Sequence, residues 1–189
     1  PGQAAKRPNV ILMMADDLGY ETLSANGGAP YKTPHLDKLA ANGLRFTNCV
    51  AQPVCTPTRV KIMTGRYNFR NYKTFGILDP REKTFGHVMR DAGYKTCIVG
   101  KWQLGRDRKL PGHFGFDEYC LWWLENKSSR YGNVGELIQN GKVLPGGKGE
   151  YGPDVVSAFM LDFISRNKEE PFFCYYPMIL THSPFVATP

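Results

Sequence analysis

The sequence lacks the features that mark several large classes of protein. No apolar run approaches the roughly 18 residues of a membrane-spanning helix, and the nearest, at 10–15, has the length of a strand. The net charge of +7 comes without a polybasic run or a regular basic–aromatic alternation. We therefore predict no membrane span and no nucleic-acid partner; an anionic small molecule or glycan suits the positive charge as well.

Cysteine is present, but not in the patterns that bind zinc or build a disulfide scaffold. The chain has five cysteines, an odd number, and no two of them have CxxC spacing. At least one free thiol therefore needs another explanation.

The remaining composition is that of one globular domain with a substantial core. The chain has 189 residues, of which 42% are hydrophobic and 13% aromatic, and ordinary domains span about 100–200 residues.

Predicted strands alternate with predicted helices along the chain. The strands are expected at 9–14, 44–50, 94–99 and 172–176, with a hairpin at 136–144 around Asn140-Gly141. Two helices begin at threonine–proline pairs and end at Gly43 and Gly65, and two more are expected at 84–92 and 154–167. The first strand is continuously apolar from Val10 to Met14, as in a strand buried on both faces. This order predicts an α/β fold with a mostly parallel sheet flanked by helices.

Four polar residues come shortly after predicted strands: Asp16 and Asp17, Lys101, and His182. In open α/β sheets the ligand site lies beyond the carboxyl ends of the strands. These side chains are therefore expected along one edge of the sheet.

Each candidate also has a plain structural interpretation. Adjacent carboxylates at Asp16 and Asp17 favour a divalent cation, which relieves their repulsion, but they also suit a helix cap with a solvated neighbour. Lys101 suits an oxyanion partner or the surface, and His182 an acid or an ordinary structural histidine.

Cys55 stands just before a predicted helix, with Arg59 one turn further on. The helix N-terminus and the guanidinium would both stabilise a thiolate, so Cys55 is a candidate nucleophile. A buried structural cysteine is the alternative.

Together these segments resemble the sulfatase family from about Pro8 to Pro184. The sequence Cys55-Thr56-Pro57-Thr58-Arg59 matches the family's Cys-x-Pro-x-Arg signature. The other matching segments are 8–12 with 16–20, 33–40, 100–102, and 171–182.

The resemblance implies an alkaline-phosphatase-like fold and a sulfuric ester hydrolase. It implies that Cys55 becomes formylglycine, made by a formylglycine-generating or sulfatase-maturating enzyme. Asp16, Asp17 and the modified Cys55 would bind Ca²⁺, with Mg²⁺ as the alternative ion. A hydroxyl of the hydrated aldehyde would attack sulfur and expel the alcohol, and the second hydroxyl would then eliminate sulfate.

The resemblance also assigns roles to the other candidates. Arg59 would orient the nucleophile, while Lys101 and His182 would bind sulfate oxygens or protonate the leaving group. Gln103 would be a third substrate-binding residue. The substrate would be a sulfated small molecule or glycan, and the location periplasmic or secreted. An aromatic wall for a sugar is one interpretation of Tyr31, Trp122 and Trp123, and core packing is the other.

Three departures from the family pattern matter. Gln103 replaces the usual histidine of Gly-Lys-Trp-His, and an amide cannot shuttle a proton near neutral pH. Thr58 replaces the commoner serine, which is a mild change. The family's later metal ligands have no counterpart here, so residues 1–189 are expected to be a truncated N-terminal part of a sulfatase catalytic domain. The rest of that domain and a small C-terminal domain would be absent, and this fragment would have little or no activity alone.

Two other functions stay open. A degenerate sulfatase-like protein that only binds sulfated ligands fits Gln103 and the positive charge. A phosphate mono- or diester hydrolase of the same superfamily fits the fold, although those relatives lack Cys-x-Pro-x-Arg.

Overall fold

The computed structural model describes residues 7–28, 30–122, 124, 134–185 and 188–189. Its strands are β1 (Val10–Asp16), β2 (Lys95–Lys101), β3 (Glu118–Trp122), β4 (Ile138–Gln139), β5 (Lys142–Val143) and β6 (Phe172–Thr181). Its helices are α1 (Pro34–Asn42), α2 (Cys55–Thr64), α3 (Asn68–Asn71), α4 (Phe85–Asp91), α5 (Leu110–His113) and α6 (Gly152–Asn167). Short 3-10 turns lie at Tyr20–Thr22, Ser24–Asn26 and Val134–Glu136.

The strands form one sheet in the order β1-β6-β2-β3-β4-β5. The first four are mutually parallel, and β4 and β5 are antiparallel. The predicted α/β sheet is therefore confirmed, and so is the hairpin at its end. Asn140 and Gly141 both have positive φ, 47° and 85°, as the favoured two-residue hairpin turns require.

Apolar side chains pack on both faces of the sheet. On one face, Ile98 and Tyr175 lie in a buried cluster with Val60 and Met63 of α2. On the other face, α6 covers a second cluster, formed by Cys97, Val99, Cys174, Val156 and Phe163. Alternate residues of β2 thus pack into the cores on opposite faces of the sheet. This explains why the buried part of the strand is apolar without interruption. Among the described residues, no helix is long and apolar enough to cross a membrane.

Two predictions about the first fifty residues are wrong. Residues 44–50 form no strand, and Leu44, Phe46 and Val50 are exposed. An apolar run becomes a strand only where a neighbouring strand offers hydrogen bonds, and no described strand pairs with this segment. β1 is not buried on both faces: Val10, Leu12 and Met14 pack on the α2-side core, but the α6-side core does not reach Ile11 and Met13, which are about half exposed.

Strand β3 was not predicted, because its five residues mix charged, aromatic and apolar side chains without a clear period. It is a strand because Cys120 and its neighbours pair with β2 on one side and β4 on the other. Here tertiary pairing overrides a weak local signal.

Gly100 allows β2 and β6 to approach closely just before Lys101. Its φ is +105°, and a Cβ at this position would lie 2.2 Å from the carbonyl oxygen of Pro177 on β6. Both the dihedral angle and the contact require glycine.

We predict that Gly100→Ala lowers the free energy of unfolding by on the order of 3 kcal/mol, through backbone strain and the clash with Pro177. Gly112→Ala is the matched control, because a Cβ added to this α5 glycine would meet no neighbouring atom within 4 Å. Alanine there should be neutral or stabilise the helix by up to about 1 kcal/mol. Urea unfolding of both variants measures the difference, and equal stabilities would contradict the close approach.

Candidate active site

The carboxyl ends of three neighbouring strands bring the predicted polar residues together. Asp16 ends β1, Lys101 ends β2, and His182 follows directly after β6. Because β6 lies between β1 and β2 in the sheet, these residues meet at one edge, where a ligand site was expected.

Asp16 is the centre of a buried charge cluster. Its carboxylate accepts a hydrogen bond from Lys101 Nζ and lies 3.8 Å from Arg59 Nη2. Arg59 Nη1 also donates to the carbonyl oxygen of Lys101, at 2.7 Å. Asp16 is only 5% exposed, and both cations are 1% exposed. One buried carboxylate thus faces two buried cations, which leaves this inner group with an excess of one positive charge.

Two hydrogen-bond donors of the cluster lack an acceptor within the described part of the chain, and an anion could supply one. Arg59 Nε and Nη2 are buried without a hydrogen-bond acceptor among the described residues, and such donors are costly unless a ligand satisfies them. Burial lowers the pKa of Lys101; the hydrogen bond to Asp16 opposes this shift, and the nearby Arg59 charge adds to it. An oxyanion beside Lys101 and Arg59 would stabilise both charges.

Asp17 and His182 form the outer part of the cluster. Asp17 has a positive φ of 60°, and its Oδ2 lies 3.4 Å from His182 Nε2. Asp16, Asp17 and His182 each offer one ligand atom, all within 4.8 Å of one another.

This donor set fits a divalent cation in part. Carboxylate oxygens are the ligands that Ca²⁺ and Mg²⁺ prefer, but Ca²⁺ takes about 6–8 oxygen ligands. Asp16 and Asp17 supply the first of them. The described residues that could hold a metal do not include Cys55, so its predicted place among the ligands stays a prediction.

Cys55 is the first residue of α2 and lines a cavity together with Asp16 and Asp17. The cavity has a volume of about 830 Å³, and its lining includes Asp16, Asp17, Cys49 and Cys55. Cys55 also lies close enough to Lys101 to affect its pKa electrostatically. All five cysteines are free, where the odd number required at least one; three lie buried in the sheet, and Cys49 and Cys55 reach the cavity.

Gln103 is buried two residues beyond Lys101. It is 4% exposed, its φ is +52°, and its Oε1 has no hydrogen-bond partner among the described residues. An orphaned amide oxygen is uncommon in a folded interior and calls for a partner.

Of the two interpretations of Tyr31, Trp122 and Trp123, core packing holds for Trp122, and neither Tyr31 nor Trp122 lines the cavity. Trp122 is buried in the α6-side core, Tyr31 is exposed away from the lining, and Trp123 lies outside the described residues. The structure instead places Tyr67 and Lys61 in the lining. Sequence reasoning missed them because a tyrosine and a lysine near a helix end carry no distinctive spacing.

Solved structures identify the class of fold. A protein in the alkaline phosphatase superfamily from Vibrio parahaemolyticus superposes with a TM-score of 0.58 at 21% identity, over 98% of this chain and 43% of that one. The crystal structure of Ps i-CgsB in complex with k-i-k-neocarrahexaose gives a TM-score of 0.84 at 29% identity, over 97% of this chain and 47% of that one. The fold is alkaline-phosphatase-like.

The family follows from the sequence itself. The family model described as Sulfatase matches residues 8–189, so the chain belongs to the sulfatase family. It is 30% identical to the N-acetylglucosamine-6-O-sulfatase of Bacteroides thetaiotaomicron, over 99% of this chain and 33% of that protein. The chain spans between 22% and 41% of the length of the curated relatives it matches.

We predict that Asp16→Asn lowers the free energy of unfolding by about 3–5 kcal/mol in a chelator-treated protein, because it leaves two buried cations without their carboxylate. Asp17→Asn is the matched control: its side chain is 60% exposed, and its loss should cost less than about 1 kcal/mol. Urea unfolding in EDTA measures both. Equal losses of unfolding free energy in the two variants would show that Asp16 does not stabilise the buried charge cluster.

Proposed function

We propose that the whole protein hydrolyses sulfate esters, with Cys55 converted to formylglycine as the source of the nucleophile. The observation that carries this proposal is the position of Cys55 at the start of α2, in one cavity with Asp16 and Asp17. Membership of the sulfatase family supports it.

The acidic pair suits the metal that this chemistry needs. We propose that Asp16 and Asp17 bind Ca²⁺, with Mg²⁺ as the alternative ion, and that the modified Cys55 adds an oxygen ligand. A hydrated aldehyde beside such a cation supplies a hydroxyl of lowered pKa as the nucleophile. Because the chain covers less than half of its relatives, the remaining ligands are assigned to the rest of the protein. The domain assignment, residues 1–189 as the N-terminal part of a catalytic domain, is part of this proposal.

The buried side chains of Arg59 and Lys101 suit the sulfate group of the proposed substrate. Arg59 Nε and Nη2 lack acceptors within the described residues, and we assign them to oxygens at position 55 and on the sulfate. Lys101 holds a sulfate oxygen on the inner side, which offsets charge that develops as the ester bond breaks. His182, next to Asp17, is at the outer side, where it can donate a proton to the leaving oxygen.

Substrate, partner and location belong to the same proposal. The substrate is a sulfated small molecule or glycan, and the maturation partner is a formylglycine-generating or sulfatase-maturating enzyme. A periplasmic or secreted location is consistent with such substrates and is likewise proposed.

One observation favours a second candidate, a sulfatase-like protein that binds sulfated ligands without hydrolysing them. Gln103 is buried where the family usually has histidine, and glutamine cannot transfer a proton at neutral pH. Turnover of any sulfate ester by the whole protein would exclude this candidate.

We predict that Cys55→Ala lowers kcat/KM for sulfate esters by on the order of 10⁴-fold or more, because it removes the precursor of the nucleophile. Cys49→Ala is the matched control, since Cys49 lines the same cavity and is exposed. Its activity should equal that of the wild type. The measurement is hydrolysis of an aryl sulfate by the whole protein, with thermal unfolding as the check on folding.

The mass of the peptide that contains Cys55, from protein made in its native host, tests the modification directly. An aldehyde at Cys55 supports the proposal. An unmodified thiol together with undiminished turnover by Cys55→Ala would overturn it.

We also predict that Gln103→His does not lower sulfatase activity, because histidine offers the hydrogen bonds of the amide and adds proton transfer. The readout is the pH profile of kcat/KM for the same aryl sulfate. Gln103→Leu is the comparison, because it keeps the volume and removes the polar atoms. If Gln103→His instead loses most of its activity, Gln103 has a role that only an amide can fill.

A further inference from the structure

The cavity at Cys55 continues well beyond the charge cluster. Cys55, Thr58, Ile62 and Gly65 all line it, and their spacing of three or four residues places them on one face of α2. Ten residues of helix rise about 15 Å, so the cavity is a groove along α2. A single sulfate group occupies only its inner end.

A stacked aromatic pair lies at the outer end of the groove. The rings of Tyr67 and Phe69 are 6.0 Å apart between centroids and 15° from parallel. Tyr67 lines the cavity, and the two residues are 64% and 82% exposed. Each ring gives part of its surface to the other, but both stay largely exposed, so together they offer an apolar patch to a ligand.

Positive charge surrounds this aromatic pair. Lys61 Nζ lies 5.0 Å from the centroid of the Tyr67 ring, and the Arg70 guanidinium carbon lies 5.5 Å from that of Phe69. Arg66, in the same lining, is paired with Glu82 at 2.7 Å. Neither Lys61 nor Arg70 forms an ion pair with a carboxylate of the described residues, so both charges are open to a ligand anion.

We propose that Tyr67, Phe69, Lys61 and Arg70 form a second binding site, for a neighbouring acidic sugar of a sulfated glycan. This inference rests on the proposed function and names its substrate class: a chain of sugars with one sulfate at Cys55 and a further sulfate or carboxylate at the outer end. Sugar rings present a flat C–H face that packs on aromatic rings, and the anionic groups pair with Lys61 and Arg70. A small aryl or alkyl sulfate would fill the inner end alone.

The charges argue for an acidic ligand and not for a neutral one. The chain carries a net charge of +7. That charge includes Lys61 in the groove lining and Arg70 beside Phe69, and neither has a carboxylate partner among the described residues. Such a surface attracts polyanions and disfavours neutral sugars, since binding a neutral ligand would leave the cations desolvated and unpaired.

The test compares two substrate sizes in the whole, formylglycine-containing protein. The probes are a small aryl sulfate and a panel of sulfated hexasaccharides from heparin, chondroitin sulfate and carrageenan, of which the best-cleaved is used. For Tyr67→Ala and Lys61→Gln, the loss of kcat/KM on the hexasaccharide should exceed the loss on the aryl sulfate by about tenfold, mainly through KM. The Lys61→Gln effect should shrink as salt is added.

Two control variants match these changes at exposed positions off the groove. Tyr31 is 61% exposed, against 64% for Tyr67, and Tyr31→Ala removes the same side chain. Lys38→Gln, on α1, removes the same charge as Lys61→Gln. Neither control should change the ratio of the two activities, so an effect of net charge alone is separated from a local one. Phe69→Leu is the second variant of the aromatic pair if Tyr67→Ala does not fold.

The outcomes separate this site from the proposed function. Equal losses on both substrates, or no loss in any groove variant, would overturn the second site while leaving sulfatase activity in place. If the wild type cleaves neither probe, the proposed function fails. Calorimetric measurement of hexasaccharide binding then tests the second binding site by itself. Weaker binding by Tyr67→Ala than by Tyr31→Ala supports the site, and equal binding, or none by the wild type, overturns it.

Discussion

The interaction on which the site depends is the buried contact of Asp16 with Lys101 and Arg59. It joins the end of β1, the end of β2 and the middle of α2, which are separated by more than 40 residues along the chain. A carboxylate and two cations are stable in this interior only when each has a partner, because an unpaired buried charge costs several kcal/mol. The three elements are therefore held in one relative arrangement by electrostatics as well as by packing.

The position of Cys55 follows from that contact. Arg59 is four residues after Cys55, so the two side chains lie on the same face of α2, one turn apart. Once Asp16 and the carbonyl oxygen of Lys101 hold the guanidinium, the first turn of the helix must face the same cavity. The Cys-x-Pro-x-Arg spacing therefore has a geometric reason. The contacts of Arg59 fix the orientation of α2, and that orientation places residue 55 at the cavity.

The sequence predicted the parts of the fold that depend on local pattern and chain order. The buried run of β2, the Asn140-Gly141 turn and the glycine at the end of α2 each carry their own signal, and the structure confirms them. Polar residues directly after strands predicted the edge where Asp16, Lys101 and His182 meet. Features that depend on contacts between distant segments could not be predicted from the sequence. Residues 44–50 have the composition of a strand but no partner among the described strands, and β3 has a weak pattern but two partners.

The same limit applies to the site. Residue types and spacing identified Cys55 and Arg59, but they could not show that Gln103 Oε1 has no partner among the described residues. Nor could they show that Tyr67 and Phe69 stack at the far end of the groove. Both facts depend on where side chains from separate segments come to lie.

The arrangement of charge suits the proposed binding of both a cation and an anion at one site. Asp16, Asp17, Lys101 and Arg59 together are neutral, although the inner group of Asp16, Lys101 and Arg59 has one excess positive charge. The charges are separated, however: the exposed carboxylate of Asp17 faces outward, and the two cations are buried behind Asp16. A divalent cation bound at Asp16 and Asp17 would make the whole site positive, and its charge would add to that of Lys101 and Arg59 in attracting an anion. If Asp16 and Asp17 bind a divalent cation, as proposed, metal and substrate binding would be coupled, because the cation would supply the charge that the protein's own residues cancel.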